Sequence, residues 1–225
     1  FSITNDLDYK RIHISFHSNA GGGRGTVALI TGDATPNQSA LAQLAGGEVH
    51  NDLVALGVPP LELAWDNNAT VTYTGGYGEI SSSSFNDEMD ATIIEVAYHD
   101  DASDARLLRD PKARAAVGKA AMQAVIKYFH QFDTNNPAPL SFLPEPPTNV
   151  RAIAGTNVQV AFAWTAPVIL GGSQNPTNYL LYRSTNGYGF GNPLSVGNVT
   201  SYTVSNLTAG VDYYFRVSAA NMGGE

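Results

Sequence analysis

A histidine and a glutamate lie where strand-like stretches of this sequence could carry chemistry. His17 stands in the segment SFHSNA at 15–20, and Glu95 lies inside the apolar run 91–98. A histidine at the C-terminal end of a strand faces the ligand crevice of an open α/β sheet. A carboxylate inside an apolar strand is costly unless it is paired, coordinated to a metal or used in catalysis. Together the two side chains would make half of a metallohydrolase site.

Alternating strand-like and helix-like patterns predict the elements that would position this pair. The β-rich stretches cover 11–16, 25–30 and 91–98, and helical periodicity covers 38–56 and 111–132. Pro111, preceded by Asp110 as the N-cap, marks the start of the last helix. Strands that alternate with long helices predict an α/β domain with a mostly parallel sheet flanked by helices.

Two blocks of the first half resemble the zinc-dependent N-acetylmuramoyl-L-alanine amidases of the type 3 family. Residues 15–20 resemble the family's S-x-H-x-N-A motif. Residues 91–129 resemble its closing block, which has an apolar strand with a glutamate, an acidic residue (Asp104) before Leu-Leu, and a long Ala-rich helix. The resemblance spans about 8–132. It implies a peptidoglycan hydrolase that cleaves the amide between N-acetylmuramic acid and L-alanine.

The resemblance also implies roles for the two residues and a zinc cofactor. His17 would be a zinc ligand, and Glu95 would be the catalytic carboxylate that activates or positions the zinc-bound water. In the family, another His and a Glu ligand lie upstream of the His17 motif, and this sequence begins after that block. We therefore expect the catalytic domain 1–132 to be incomplete at its start and the fragment itself to be inactive. Residues 97–100 depart from the family's Gly-Phe and Ser-Asn pattern, so the substrate-side loop is expected to differ.

Ordinary structural roles compete with these assignments. Glu95 could pair with a buried arginine such as Arg11. His13 lies four residues from His17 on the same side of a strand, which separates them by about 13 Å, too far to share one zinc ion. His13 is therefore interpreted as structural. His99 follows the Glu95 strand and could reach the site.

Other polar features of the first half favour simpler interpretations. Glu48 and His50 lie two positions apart in the predicted helix 38–56, point to different faces and are expected at the surface. The glycine-rich stretch 21–26 lacks the G-K-[ST] ending of a phosphate loop, which predicts a flexible turn beside the site. The serines at 81–84 have no G-x-S-x-G frame, so a serine hydrolase is unsupported.

The second half is predicted to be a separate all-β domain. Prolines at 137, 139, 144, 146 and 147 indicate a linker over 133–146. Short strand patterns separated by Gly, Pro, Asn and Ser follow, which is typical of a β-sandwich. Residues 147–225 resemble a fibronectin type III domain, with Trp164 as the core tryptophan and Tyr213 as the tyrosine-corner residue. That domain's last strand would follow Glu225, so we expect it to be incomplete at its end.

Composition excludes several classes of protein and site. The 225 residues contain no cysteine, which excludes disulfides, CxxC zinc sites and thiol nucleophiles. The net charge of −8 disfavours a nucleic-acid partner, and no apolar run approaches the roughly 20 residues of a membrane span. Residues 1–132, with 16 acidic and 9 basic residues, carry −7 of that charge.

The resemblance implies that the partner is peptidoglycan and that the location is bacterial and extracytoplasmic, either periplasmic or secreted; the oligomeric state stays open. Two other functions are compatible with the sequence. One is a non-catalytic cell-wall-binding or adhesion protein on a degenerate amidase fold, and the other is a different zinc peptidase on a related sheet.

Overall fold

The chain divides into two compact units, Phe1–Leu140 and Ser141–Glu225. The computed structural model describes residues 11–55, 72–85, 88–155 and 158–225. Residues 8–10, 56–71 and 86–87 of the amidase-like stretch, which include residue 56 of the predicted helix, lie outside the described residues. The division between the units falls within the stretch 133–146 that the sequence predicts to be a linker.

The first unit is built on a four-stranded mixed sheet of order β1-β4-β2-β3. Its strands are β1 (Ile12–Asn19), β2 (Val27–Thr31), β3 (Thr72–Gly75) and β4 (Asp90–Tyr98). The β1–β4 pair is parallel, as expected of a mostly parallel sheet, and β2 also pairs in parallel with β3, a strand that the sequence patterns miss. The central β2–β4 pair is antiparallel. The mostly parallel prediction fails there because only residues 20–26 separate β1 from β2. A parallel crossover needs a dozen or more residues, so the chain simply reverses.

Two long helices cover one face of this sheet. Among the described residues of this unit, the helices are α1 (Pro36–Ala55), α2 (Ser82–Phe85), α3 (Ala102–Arg109) and α4 (Pro111–Phe132). The predicted start of α4 is confirmed, since the Asp110 side chain accepts a hydrogen bond from the backbone N–H of Lys112 at 2.8 Å and Pro111 follows it. The long helices α1 and α4 pack on each other and on β4. Their shared core includes Ala28, Ala42, Val49, Ile94, Val96, Ala97, Ala116 and Ala120.

The prediction that Glu48 and His50 lie at the surface is wrong. They are 9% and 5% exposed, respectively. Because α1 is packed against both the sheet and α4, few of its faces remain open to solvent. The Lys127 ammonium of α4 contacts the Glu48 carboxylate, and Lys119 lies 3.5 Å from Asp52, so the acidic groups of α1 meet cations across the helix pair.

A short segment covers the opposite face of the sheet. The 3₁₀ turn Gly78–Ile80 and α2 follow β3, and Ile80 is fully buried against side chains of β2 and β4. Tyr77 and Phe85 pack on the same cluster. Since side chains alternate along a strand, every second residue of β1, and of β4 as far as Glu95, points towards this segment.

The second unit is an all-β sandwich, as predicted. One sheet has the order β10-β7-β8 and the other β5-β6-β9. The strands are β5 (Thr148–Ala154), β6 (Val160–Thr165), β7 (Asn178–Ser184), β8 (Leu194–Gly197), β9 (Ser201–Val204) and β10 (Tyr214–Ala220). The sequence patterns locate four of them and miss β5 and β8.

Two predicted markers of this sandwich are confirmed. Trp164 is 5% exposed, and its ring lies 5.3 Å from that of Tyr179 in the core. The Tyr213 hydroxyl accepts a hydrogen bond from the backbone N–H of Thr208 at 3.1 Å, as a tyrosine corner should. Part of the proline-rich stretch also belongs to this unit. The backbone N–H of Phe142 donates to Gln174, and its carbonyl accepts from the Asn221 side chain.

Candidate functional site

His17 and Glu95 stand side by side in the sheet. The parallel β1–β4 register pairs them directly, and just beyond them it shifts so that Asn19 pairs with Tyr98. Three residues of β4 therefore match two of β1, which is a β-bulge. Val96 and Ala97 both join the helix-side core, and Tyr98 packs on the opposite face. The sequence-predicted pair is thus brought together on the face covered by the 3₁₀ turn.

Glu95 is a partly buried carboxylate with an unsatisfied oxygen. Its Oε2 is buried and has no hydrogen-bond partner among the described residues. Burial raises the pKa of the Glu95 carboxyl, while the charges of His17 and His99 act in the opposite direction. Arg11, the suggested pairing partner, instead lies 3.7 Å from Glu88. Glu95 is therefore held in a setting that disfavours its charge.

Glu79, which the sequence patterns did not single out, is the centre of the contacts to β1. Its Oε1 accepts a hydrogen bond from the Ser15 hydroxyl, and its Oε2 lies 3.2 Å from His17 Nε2. The Ser15 hydrogen bond and the neighbouring His17 charge lower the pKa of the Glu79 carboxyl. Glu79 lies in a three-residue turn without periodicity. The feature of the sequence that points to Glu79 is its position directly before Ile80. Ile80 is the apolar residue that anchors the turn.

His13 also approaches Glu79, since its Nε2 lies 3.7 Å from Oε1 of that carboxylate. Its ring lies 5.5 Å from the Phe85 ring. His13 and His17 are four residues apart on β1, yet they reach different oxygens of one carboxylate because Glu79 lies between them. The strand spacing that separates the two histidines does not prevent them from sharing a partner.

His99 is attached to the end of β1. Its Nδ1 lies 3.0 Å from the Ser18 hydroxyl and 3.2 Å from the Ser18 carbonyl oxygen, and its backbone N–H donates to the Asn19 carbonyl. Its charge favours the ionised form of Glu95. His99 is therefore close enough to influence the catalytic candidate, in keeping with the prediction that it could reach the site.

The glycine-rich turn after β1, for which the sequence predicts flexibility, donates backbone hydrogen bonds to two carboxylates. Asp100 accepts hydrogen bonds from the backbone N–H groups of Gly21 and Gly22 at 2.7 and 3.2 Å, and the first of these is the largest cause that lowers the pKa of its carboxyl. Asp104, only 1% exposed, accepts from the backbone N–H groups of Gly25 and Tyr98, each at 3.0 Å. Carboxylates from the other side of the site thus pin this turn.

Asp104 also contacts a cation. Arg24 Nε lies 3.1 Å from Asp104 Oδ1 and 3.4 Å from Asp101 Oδ1. Asp104 is the acidic residue that the family resemblance singles out before Leu107 and Leu108. In this structure it ties β4, α3 and the glycine-rich turn together, which is a structural function.

The geometry excludes a serine nucleophile relay and leaves a metal site incomplete among the described residues. Ser15, His17 and Glu79 do not form a nucleophile relay, because the serine and the carboxylate both contact Nε2 of the imidazole, whereas a triad uses its two nitrogens separately. No group of three His, Asp or Glu side chains among the described residues is placed to hold a metal ion. No helix in the described part of the chain is long and apolar enough to cross a membrane.

Comparison with known proteins identifies the second unit. Residues 145–225 match the model of the fibronectin type III domain. A Kelch domain-containing protein of Saccharolobus solfataricus is 41% identical over 81 residues, which are 36% of this chain and 10% of that protein. This chain therefore spans about a tenth of the length of that curated relative.

Solved structures similar to this chain include a crystal structure of domains from titin and the solution structure of the fibronectin type III domain of the human collagen α-1(XX) chain. The titin structure is 33% identical, with 37% of this chain and 28% of that chain covered and a TM-score of 0.33. The collagen domain is 25% identical, with 36% of this chain and 75% of that chain covered and a TM-score of 0.31.

Proposed function

We propose that the first unit contributes catalytic residues to a peptidoglycan hydrolase that cleaves the amide between N-acetylmuramic acid and L-alanine. Glu95 is the catalytic carboxylate and His17 is one of the zinc ligands. The observation that carries the proposal is the direct pairing of His17 with Glu95, whose buried oxygen has no partner among the described residues. The S-x-H-x-N-A resemblance at 15–20 supports it, and it implies an extracytoplasmic location.

Glu95 has the properties of a general base and acid for amide hydrolysis. Its raised pKa brings the carboxyl nearer to the operating pH, where one group can take a proton from water and later give it to the departing amine. The neighbouring imidazoles of His17 and His99 stabilise the charged form. Burial and the two imidazoles thus act in opposite directions on the pKa of Glu95, and burial has the larger effect.

The metal requirement is not met by the described residues alone. When bound, zinc would supply a Lewis acid for the carbonyl and an acidified water. A catalytic zinc site uses three protein ligands. The described residues offer the His17 imidazole beside Glu95, and no group of three is placed for a metal. The proposal therefore requires further ligands outside the described residues.

The proposal is tested with the full-length gene product and purified sacculi. Mass spectrometry should find stem peptides that begin with free L-alanine. Glu95→Gln should lower their rate of release by about 100-fold or more, which is the contribution expected of a general base. Glu88→Gln is the matched control, because Glu88 contacts Arg11 at the start of β1 and has no contact with His17. Unchanged release by Glu95→Gln would exclude the proposed mechanism.

A non-catalytic wall-binding or adhesion function is the second candidate. The observation that favours it is the contact between Glu79 and His17, together with the missing three-ligand group among the described residues. On this alternative the full-length protein co-sediments with sacculi without releasing peptides. A different zinc peptidase would instead release fragments cut within the stem peptide, which the same mass spectra distinguish. The fibronectin type III unit serves as a spacer or polymer-contact domain in each case.

A further inference from the structure

The backbone of the turn that carries Glu79 is anchored by hydrogen bonds on both sides of that residue. Its turn is anchored by the fully buried Ile80, whose carbonyl accepts a hydrogen bond from the Gln38 side chain at 2.8 Å. The backbone N–H of Ile80 donates to the Tyr77 carbonyl, and the Ser84 hydroxyl donates to the Gly78 carbonyl at 2.7 Å. Both ends of the turn are therefore tied down, and the carboxylate is presented to β1 from a defined position.

The contacts of Ser15 and Glu79 determine which nitrogen of His17 carries its proton. Glu79 Oε2 lies 3.2 Å from His17 Nε2, and an ionised carboxylate, which only accepts hydrogen bonds, favours a hydrogen on the nitrogen beside it. Ser15 has a single hydroxyl proton, which it gives to Glu79. Its 3.2 Å contact with His17 Nε2 must then be one in which Ser15 accepts. Both neighbours thus demand the same tautomer.

We propose that Glu79 is a positioning residue that, with Ser15, holds the proton of neutral His17 on Nε2 and leaves Nδ1 as its free lone pair. Nδ1 is then the only nitrogen of this imidazole that can bind an electrophile or accept a proton in the neutral state. Partners of this kind on the far nitrogen fix the tautomer and ring orientation of functional histidines. The inference rests on the proposed function and refines it, because it names the working atom of His17.

Two other histidines provide internal references of the opposite tautomer. His130 Nδ1 lies 2.8 Å from the Ala138 carbonyl oxygen, and His99 Nδ1 lies 3.2 Å from the Ser18 carbonyl oxygen. A carbonyl oxygen only accepts, so both contacts are satisfied when the proton is on Nδ1. At His99 the Ser18 hydroxyl, 3.0 Å from the same nitrogen, then acts as a second acceptor. His17 is therefore expected to differ from two histidines of the same unit under the same conditions.

Long-range ¹H–¹⁵N correlation NMR on the metal-free chain with ring-¹⁵N histidines tests the proposal, since protonated and unprotonated ring nitrogens have distinct ¹⁵N shifts. At a pH where the histidines are neutral, His17 should show a protonated Nε2 and an unprotonated Nδ1, and His99 and His130 the reverse. Glu79→Ala frees the Ser15 hydroxyl to donate, so the His17 tautomer ratio should fall about tenfold or more, the preference expected of a charged hydrogen bond.

The matched variants separate positioning from loss of structure. Ser15→Ala leaves the carboxylate in place and should preserve the His17 tautomer, and Glu88→Gln should change nothing. His99 and His130 should keep their signals in every variant, which reports that the fold is intact. If wild-type His17 carries its proton on Nδ1, or if folded Glu79→Ala keeps the wild-type ratio, the inference is wrong. Because no metal or substrate is present, such a failure is distinguishable from failure of the proposed amidase activity.

Discussion

Removal of the Asp104 carboxylate should destabilise the first unit far more than removal of its neighbour Asp101. Asp104→Ala leaves the backbone N–H groups of Gly25 and Tyr98 without their acceptor and takes one carboxylate from Arg24. Each orphaned buried donor costs about 1–3 kcal/mol, and breaking a buried ion pair costs about 3–5 kcal/mol. These overlapping effects predict a loss of about 3–4 kcal/mol in the free energy of unfolding.

Asp101→Ala is the matched control on the same helix. Asp101 is more exposed than Asp104, and it caps α3 by accepting hydrogen bonds from the backbone N–H groups of Ser103 and Asp104. Loss of an N-cap costs about 1 kcal/mol. The two substitutions therefore remove one carboxylate each but differ about threefold in expected effect.

Urea unfolding followed by circular dichroism at 222 nm measures the difference. The helices of the described residues all lie in the first unit, so this signal follows that unit. With a slope of about 2 kcal/mol/M, Asp104→Ala should lower the midpoint by about 1.5–2 M and Asp101→Ala by about 0.5 M. Equal shifts would refute the reasoning, because they would show that the buried hydrogen bonds of Asp104 contribute no more than a surface cap.

Three further outcomes are expected from the contacts described. Glu95→Gln should stabilise the first unit at neutral pH. The raised pKa of Glu95 means that the wild type loses stability as pH rises from the ordinary glutamate range through that pKa, so the advantage of the glutamine should vanish in acid, as urea midpoints at several pH values will show. Tyr213→Phe removes the acceptor of the Thr208 N–H and should cost the second unit about 1 kcal/mol, measured by Trp164 fluorescence during unfolding in a Trp65→Phe background. An unchanged midpoint would show that the tyrosine corner does not stabilise this unit. Asp110→Ala should lower the stability of the first unit by about 1 kcal/mol through loss of the α4 cap, and a shift as large as that of Asp104→Ala would contradict this.

Local patterns in the sequence were sufficient to predict the elements that carry the pair of catalytic candidates. Alternation in β1, the apolar run of β4 and the cap of α4 are short-range signals. They place His17 and Glu95 close together because the carboxyl ends of parallel strands lie at the same edge of a sheet. The antiparallel direction of β2 was not predicted from periodicity. The short connection at 20–26 does indicate it, because that connection is too short for a parallel crossover. The length of a connection constrains strand direction as strongly as the strand pattern itself.

Contacts made by irregular segments could not be predicted in this way. Glu79 reaches β1 only because Ile80 fixes its turn against the sheet, and such anchoring depends on tertiary packing that no periodicity records. The same reason explains the errors at Glu48 and His50, since a helix that is covered on several sides buries residues that its own pattern would leave exposed. The glycine-rich turn was predicted to be flexible because its composition carries no trace of the carboxylates that fasten it.

The bulge beside the site has a consequence for how this domain tolerates insertions and deletions. A one-residue slip of β1 against β4 would turn His17 towards the helices and bring Phe16 to the face of Glu95. Such a slip is costly before the pair, where the ladder runs without interruption from Ile12 to His17. Beyond Glu95 the ladder has already absorbed one extra residue of β4. Length changes in the segment after the bulge can therefore be accommodated there. The His17–Glu95 pairing is thus protected from length variation on its C-terminal side but not on its N-terminal side.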